Sequence, residues 1–149
     1  MPLAQLISVL QAAIGPVILI SGVGLWVLSM TNRLGRTIDR SRELAALQHS
    51  AAPQERERND AQLKILWRRA LLLRTAIALA TLSALLAAAL VIVLFVSALL
   101  GLQITLLVAT LFIACLCSMI ASLVYFILDI DMSLRALETE IGSHLNGGS

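Results

Sequence analysis

The sequence predicts an all-α membrane protein with three transmembrane helices, and two observations carry that prediction. Of its 149 residues, 59% are hydrophobic and 13% are charged, whereas soluble domains average about half and about a quarter. The charged residues form two blocks, from Arg33 to Arg74 and from Asp129 to Glu140. This distribution excludes a water-soluble enzyme. The net charge of +2 does not provide the concentrated basic face that nucleic-acid binding requires.

The three uncharged stretches are each long enough to cross a bilayer. They cover about 6–30, 75–100 and 104–128. A 25-residue helix is roughly 38 Å long, more than the roughly 30 Å hydrocarbon core. Only helices satisfy their own backbone polar groups in lipid. We therefore expect a single membrane domain over 1–141, followed by a disordered tail over 142–149.

The basic residues predict the orientation of the chain. Ten of the eleven lie between Arg33 and Arg74, and none precedes Arg33 or falls between the second and third spans. Because basic loops stay in the cytoplasm, the N-terminus is expected outside and the C-terminus inside. Trp26, Trp67 and Tyr125 fall near the inner ends of their helices, where aromatic rings anchor at headgroups.

The segment between the first two spans, about 31–74, predicts a cytoplasmic helical hairpin. Apolar residues recur at helical spacing among its charges, namely Leu34, Ile38 and Ala45, then Leu63, Leu66 and Ala70. The break is expected at Ser50 to Pro53, after which Glu55 suits a helix N-terminus. Both membrane helices should therefore extend inward as the two arms of the hairpin.

Small residues mark the faces on which the spans are expected to pack. Two stripes recur every four residues, Ala76, Ala80, Ala84 and Ala88 in the second span and Thr110, Ala114, Ser118 and Ser122 in the third. The second and third spans are joined by a short turn and should therefore pack face to face.

The first span carries a different pattern, a seam that repeats every seven residues. Its members are Ser8, Gly15, Gly22 and Ser29, with Gln11 and Pro16 nearby, and the same count reaches Arg36. Such a seam either packs against a partner helix or lines a narrow wet path in an oligomer. Pro16 removes a backbone hydrogen bond and so predicts a kink.

Polar and charged residues gather just inside the first span. They are Asn32, Arg33, Arg36, Asp39, Arg40 and Arg42. Asp39 is three residues from Arg36 and from Arg42 and can meet either on one helix face. Two interpretations stay open: a salt-bridged interfacial helix that touches anionic lipid headgroups, or the charged inner mouth of an oligomer.

An ion pair is expected between Arg74 and Asp129 or Asp131. Positions 74 and 130 are each 28 residues from Leu102, which lies at the middle of the turn. A symmetrical hairpin would bring them level.

Other chemistries have little support. No acid or histidine lies within a span, which argues against a proton-coupled transporter and an intramembrane protease. Cys115 and Cys117 are two apart and point to different sides of a helix, while His49 and His144 lie in a loop and a tail. We expect a non-enzymatic protein with no catalytic, cofactor-binding or metal-ligating residues.

The chain resembles a known group of sequences in three places: Gly15 to Gly24, Thr31 to Leu34, and Ile38 to Arg42, followed by Arg68, Arg69 and Arg74 ahead of a two-helix hairpin. It is similar there to the bacterial membrane proteins grouped as domain of unknown function 2721. The resemblance covers about 13–137. It implies a multi-pass protein of the bacterial inner membrane with three spans, and it brings no established activity.

Three helices alone cannot enclose a transport path, so the expected state is a homo-oligomer. The leading hypothesis is an ion-conducting pore lined by the first helix. The alternative is a membrane scaffold or regulatory subunit that binds a protein partner through its charged hairpin. Expected partners are therefore lipid, other copies, an ion or a second protein, and not nucleic acid. A scaffold would bury the seam against its own helices, whereas a pore leaves it facing an axis.

Overall fold

The computed structural model describes residues 3–47 and 53–146, and the side chains of Gln5 and of residues 135–146 are not described. The described residues form three helices: α1 (Leu3–Leu47), α2 (Pro53–Leu100) and α3 (Thr105–Asn146). All three are long and apolar enough to cross a membrane. The all-α prediction is confirmed, and the chain has the architecture of a multi-pass membrane protein.

Local sequence signals mark the start of α2, whereas the end of α3 lies beyond the glycine expected to stop it. Helix α2 begins at Pro53, whose fixed φ and missing N–H suit a first helical position, and Glu55 lies in its first turn. Helix α3 continues to Asn146, into the tail expected over 142–149, and the last three residues of that tail lie outside the described part. A single glycine at Gly142 costs a helix only about 1 kcal/mol.

Gly101 ends α2 and reverses the chain. Its φ of +65° is left-handed, a conformation that glycine adopts without steric cost. The Leu102 N–H donates to the Ser97 carbonyl at 3.1 Å, the bond of a Schellman motif, and Ser97 Oγ donates to the Leu102 carbonyl at 2.8 Å. The backbone therefore leaves α2 at Gly101, and α3 begins at Thr105.

The contacts of the chain form two compact units, and the single membrane domain expected over 1–141 stays a prediction. The first contains residues 3–29 and 77–122. Small and polar side chains form its interior, with Ser83 and Cys115 buried. The Cys115 Sγ donates to the Ser83 carbonyl at 3.3 Å, and Ser118 Oγ donates to the Leu79 carbonyl at 2.8 Å. Helices α2 and α3 therefore pack through small side chains, as the sequence predicted.

Only part of each predicted small-residue stripe takes part in this packing. Ala80, Ser118 and Ser122 are buried, whereas Ala88 and Ala114 are exposed. A step of four residues advances 400° around a helix and so drifts about 40° off one face each time. Residues that stay on one contact face of a helix are spaced alternately three and four positions apart.

The second unit contains residues 30–47, 53–76 and 123–146. Its interior combines apolar and polar side chains, namely Met30, Thr37, Leu44, Leu73, Ala76 and Asp129. Thr37 satisfies its hydroxyl by donating to the Arg33 carbonyl at 3.0 Å. The buried charge in this interior is the carboxylate of Asp129.

Candidate functional site

Asp129 of α3 is the centre of an ion cluster inside the second unit. Its side chain is 0% exposed. Arg69 of α2 donates from Nε to Asp129 Oδ1 at 3.2 Å, and Arg33 Nη2 of α1 lies 3.6 Å from Oδ2. The Arg33 guanidinium also stacks on Phe126, 5.1 Å from the ring centroid. One carboxylate therefore joins all three helices.

The electrostatics of this cluster are asymmetric. Arg69 and Arg33 remain 17% and 32% exposed, so both retain some contact with solvent while the carboxylate has none. Among the described residues, Asp129 Oδ2 has no hydrogen bond and only the longer ion pair with Arg33. A buried carboxylate without these arginines would be strongly unfavourable. The cluster therefore fixes the relative positions of the helices in this unit.

The partners of Asp129 differ from the expected ones. Arg74 and Asp131 are both exposed, and the structure shows no ion pair between them in its described part. The expected register assumed a turn symmetrical about Leu102. The chain reverses earlier, at Gly101, and the position midway between 69 and 129 is residue 99. Moving the centre from residue 102 to residue 99 moves the level opposite Asp129 from residue 75 to residue 69.

The predicted charge cluster on α1 is mostly exposed. Arg33 alone turns inward, to Asp129. The other members are exposed, namely Asn32, Arg36, Asp39, Arg40 and Arg42. The ion pair shown on this segment joins Arg40 Nη1 to Glu43 Oε2 at 2.8 Å, not Asp39 to an arginine. Both interpretations of the cluster, lipid contact and inner mouth, remain compatible with these exposed side chains.

The small-residue seam of α1 is not buried in its own chain. Its exposed members are Ser8, Gln11, Gly15, Gly22 and Ser29, and Pro16 is half-buried. A Cβ added at Gly15 or Gly22 would meet no atom within 4 Å. The residues of α1 that are buried in the first unit are Ala13 and Val23. Helix α1 is continuous through Pro16, and the kink remains a prediction.

An apolar groove of about 470 Å³ lies between the parts of α1 and α2 in the second unit. It is lined by Leu34, Ile38, Ser41, Arg42, Ala45, Leu63, Leu66, Trp67, Ala70, Leu71 and Arg74. The two charged residues of the lining are both arginines. Trp67 is 70% exposed, although aromatic rings of this size are usually covered. This groove is therefore an exposed apolar surface with one arginine on each of its two helices.

The sequence predicted the apolar faces of the hairpin but not the arginine that pairs with Asp129. The apolar spacing of the hairpin predicted Leu34, Ile38 and Leu66 as one face of each arm, but not the groove between them. Arg69 was missed as the partner of Asp129. Arg69 shares a helix face with Leu73, four residues later, but the burial of Leu73 that makes this spacing informative is known only from the structure.

Residues of the types that bind metal ions lie apart from one another in the part of the chain whose side chains are described. No three His, Cys, Asp or Glu side chains gather there. Cys115 is buried and Cys117 is exposed, so they point to different sides, as their spacing predicted.

Comparison with known sequences gives one match. A family model described as "Protein of unknown function (DUF2721)" matches residues 13–139. No curated protein and no solved structure matches the chain. The Asp129 cluster and the groove both lie within the matched range.

Proposed function

Since the chain belongs to the DUF2721 family, a family of unknown function, its role has to come from its surfaces, and we propose a non-enzymatic homo-oligomer that conducts ions. Copies of the protein meet along the seam of α1 in the bacterial cytoplasmic membrane. The N-terminus lies outside, and the hairpin and C-terminus lie in the cytoplasm. An ion path runs along the axis that the seams surround.

The observation that carries this proposal is the exposure of the seam in its own chain. Ser8, Gly15, Gly22 and Ser29 are all exposed. In lipid, small residues allow close approach between helices, because no hydrophobic force drives helices together. A helix face that only met lipid would not need them. The seam is therefore free to contact α1 of another copy.

The ion path follows from the same line of residues. Glycines leave a narrow space between neighbouring α1 helices, and Arg36 continues the seam beyond the span with an exposed side chain. A ring of Arg36 side chains gives a positive potential at the inner mouth, which favours anions. Asp39, also exposed, opposes this potential and weakens the preference.

The experiment combines copy number in nanodiscs with currents in planar bilayers. Wild-type protein should be oligomeric and conduct. Gly22→Leu should abolish the current while the oligomer persists. Gly24→Leu is the matched control, because Gly24 is equally open but stands about 200° around the helix from Gly22. It should leave the current unchanged.

Charge selectivity supplies a second readout. Arg36→Glu should shift the reversal potential toward cations in a salt gradient. A silent wild-type oligomer that Gly22→Leu dissociates would contradict conduction and identify the seam as a packing surface alone. A monomer in nanodiscs would contradict the homo-oligomer itself.

The second candidate is a membrane scaffold or regulatory subunit that binds a protein partner. The groove favours it, because Trp67 and its apolar neighbours form an exposed surface outside the spans. Amphipathic helices commonly bind such grooves. This candidate requires no current and predicts that groove substitutions abolish partner binding without changing copy number.

A further inference from the structure

We propose that the groove of each copy receives the outer face of α3 from a second copy in the same membrane. This outer face consists of Ile127, Asp131 and Leu134. The inference rests on the proposed homo-oligomer only for the presence of a second copy, and it concerns a contact separate from the α1 seam.

The outer face of α3 is apolar, exposed and helical in spacing. Ile127 and Leu134 are 54% and 56% exposed, and Asp131 between them is exposed. Their spacing of four and three residues puts them on one side of the helix. Ile127 and Asp131 each lie two residues from Asp129, about 200° around α3. Asp129 therefore faces its own unit while this face points away from it.

The groove has the dimensions of a helix-binding surface. Its lining runs from Leu34 to Ala45 on α1 and from Leu63 to Arg74 on α2. The eleven steps along each arm rise roughly 16 Å, and the seven steps from Ile127 to Leu134 rise roughly 10 Å. Anchors at i, i+4 and i+7 are the pattern by which a helix binds such a groove.

The charges of the two surfaces are complementary. Arg42 and Arg74 are the charged residues of the groove lining, and both are exposed. Asp131 is the charged residue of the α3 face. The structure shows no ion pair between these three within one chain, in the part that it describes. Opposite charges across an interface select the partner and its register.

The membrane fixes the depth at which two copies can meet. The Arg69–Asp129 contact makes residue 129 of α3 level with residue 69 of α2. Because the two helices run in opposite directions, Ile127 is level with Leu71 and Leu134 with Lys64. The α2 side of the groove covers 63–74. A neighbour rotated about the membrane normal therefore presents its α3 face at the depth of the groove, with no vertical shift.

The same alignment gives the depths of Asp131 and of the two groove arginines. Arg33 of α1 is also level with Asp129, so Asp131 of a neighbour stands between Arg74 on one side and Arg42 on the other. Asp131 is level with residue 67 of α2 and about residue 35 of α1, so each arginine lies seven residues, roughly 10 Å along the axis, from that level. The two arginines therefore attract the carboxylate from the two ends of the groove. The contact is head-to-tail, since groove and α3 face are different surfaces. Residues 36 and 38 stand about 200° apart on α1, so groove and seam do not compete.

Disulfide cross-linking between two differently tagged copies tests this contact in the full-length chain. Cys115 and Cys117 are replaced by alanine in both copies. Leu71→Cys in one copy and Ile127→Cys in the other are at the same depth and should form an intermolecular disulfide on oxidation in membranes. Leu128→Cys is the matched control, because Leu128 is also exposed at nearly that depth but 100° around α3. It should cross-link weakly or not at all.

Charge reversal gives a second measurement. Arg74→Asp should lower the cross-link yield about fivefold, and adding Asp131→Arg to the other copy should restore it. Equal yields at Ile127→Cys and Leu128→Cys would indicate random collision and overturn the proposal. The proposal would also be overturned if Leu71→Cys formed a disulfide only with a different protein and not with a second copy of this chain.

Failure of this contact can be distinguished from failure of the proposed function. An intact oligomer without the cross-link refutes this contact and leaves the proposed homo-oligomer standing. A cross-link that forms in wild-type protein whose current stays silent supports the contact and contradicts the ion path.

Discussion

Asp129→Asn removes the buried negative charge of the second unit with almost no change in side-chain volume. Arg69 Nε and Arg33 Nη2 lie 3.2 Å and 3.6 Å from the carboxylate. At an effective dielectric of about 20, each pair contributes about 5 kcal/mol of attraction before desolvation is subtracted. Removing one partner of a buried pair costs about 3 to 5 kcal/mol in total.

The expected loss lies at the lower end of that range. Both arginines keep part of their surface exposed, so solvent can compensate them when the carboxylate is lost. We therefore expect Asp129→Asn to lower the free energy of unfolding by about 3 kcal/mol. For a chain of this size that corresponds to a fall of roughly 6 to 12 °C in the unfolding midpoint.

Thermal unfolding in nanodiscs, followed by tryptophan fluorescence, measures this loss. Asp39→Asn is the control, because Asp39 is an exposed aspartate outside the cluster, and its midpoint should match the wild type. Arg69→Gln combined with Asp129→Asn should destabilise less than the sum of the two single changes. An Asp129→Asn midpoint equal to that of the wild type would refute the structural role of the cluster.

Four further outcomes are expected. Gln103→Cys should react with an impermeant maleimide in intact cells and Gln54→Cys only after permeabilisation; the reverse would contradict the orientation. Gly101→Ala should destabilise by about 1 kcal/mol or more, because alanine at a positive φ is strained; an unchanged midpoint would contradict the Schellman turn. Ser118→Ala should cost about 0.6 kcal/mol through its lost bond within the membrane, and a stabilised variant would contradict that bond. Arg74→Asp combined with Asp129→Arg should show no coupling in stability, whereas coupling would restore the symmetrical register.

Local signals made the helices predictable from the sequence. Charge-free stretches marked the spans, and Pro53 with Glu55 marked the start of α2, because each signal depends on only a few neighbouring residues. Gly101 ends α2 for the same kind of reason. The continuation of α3 past Gly142 was not predicted. One glycine lowers the stability of a helix by only about 1 kcal/mol, which is too little to end a helix whose neighbouring residues favour it.

The contacts between helices depended on geometry that residue counting does not contain. The partner of Asp129 is Arg69 rather than Arg74 because the register of α2 against α3 is centred on residue 99, three residues before the assumed centre at Leu102. The exposure of the seam depends on which face of α1 its neighbours take. The spacing of apolar residues in the hairpin predicted an apolar face on each arm. That these two faces form an exposed groove could be seen only in the structure.

The central claim, that the α1 seams of assembled copies line an ion path, is tested most directly by cysteine accessibility during current recording. In a background without Cys115 and Cys117, an impermeant methanethiosulfonate reagent should block the current of Gly22→Cys. It should leave the current of Gly24→Cys unchanged, because that position faces away from the seam. Equal block of both variants, or a stable oligomer that never conducts, would contradict the claim.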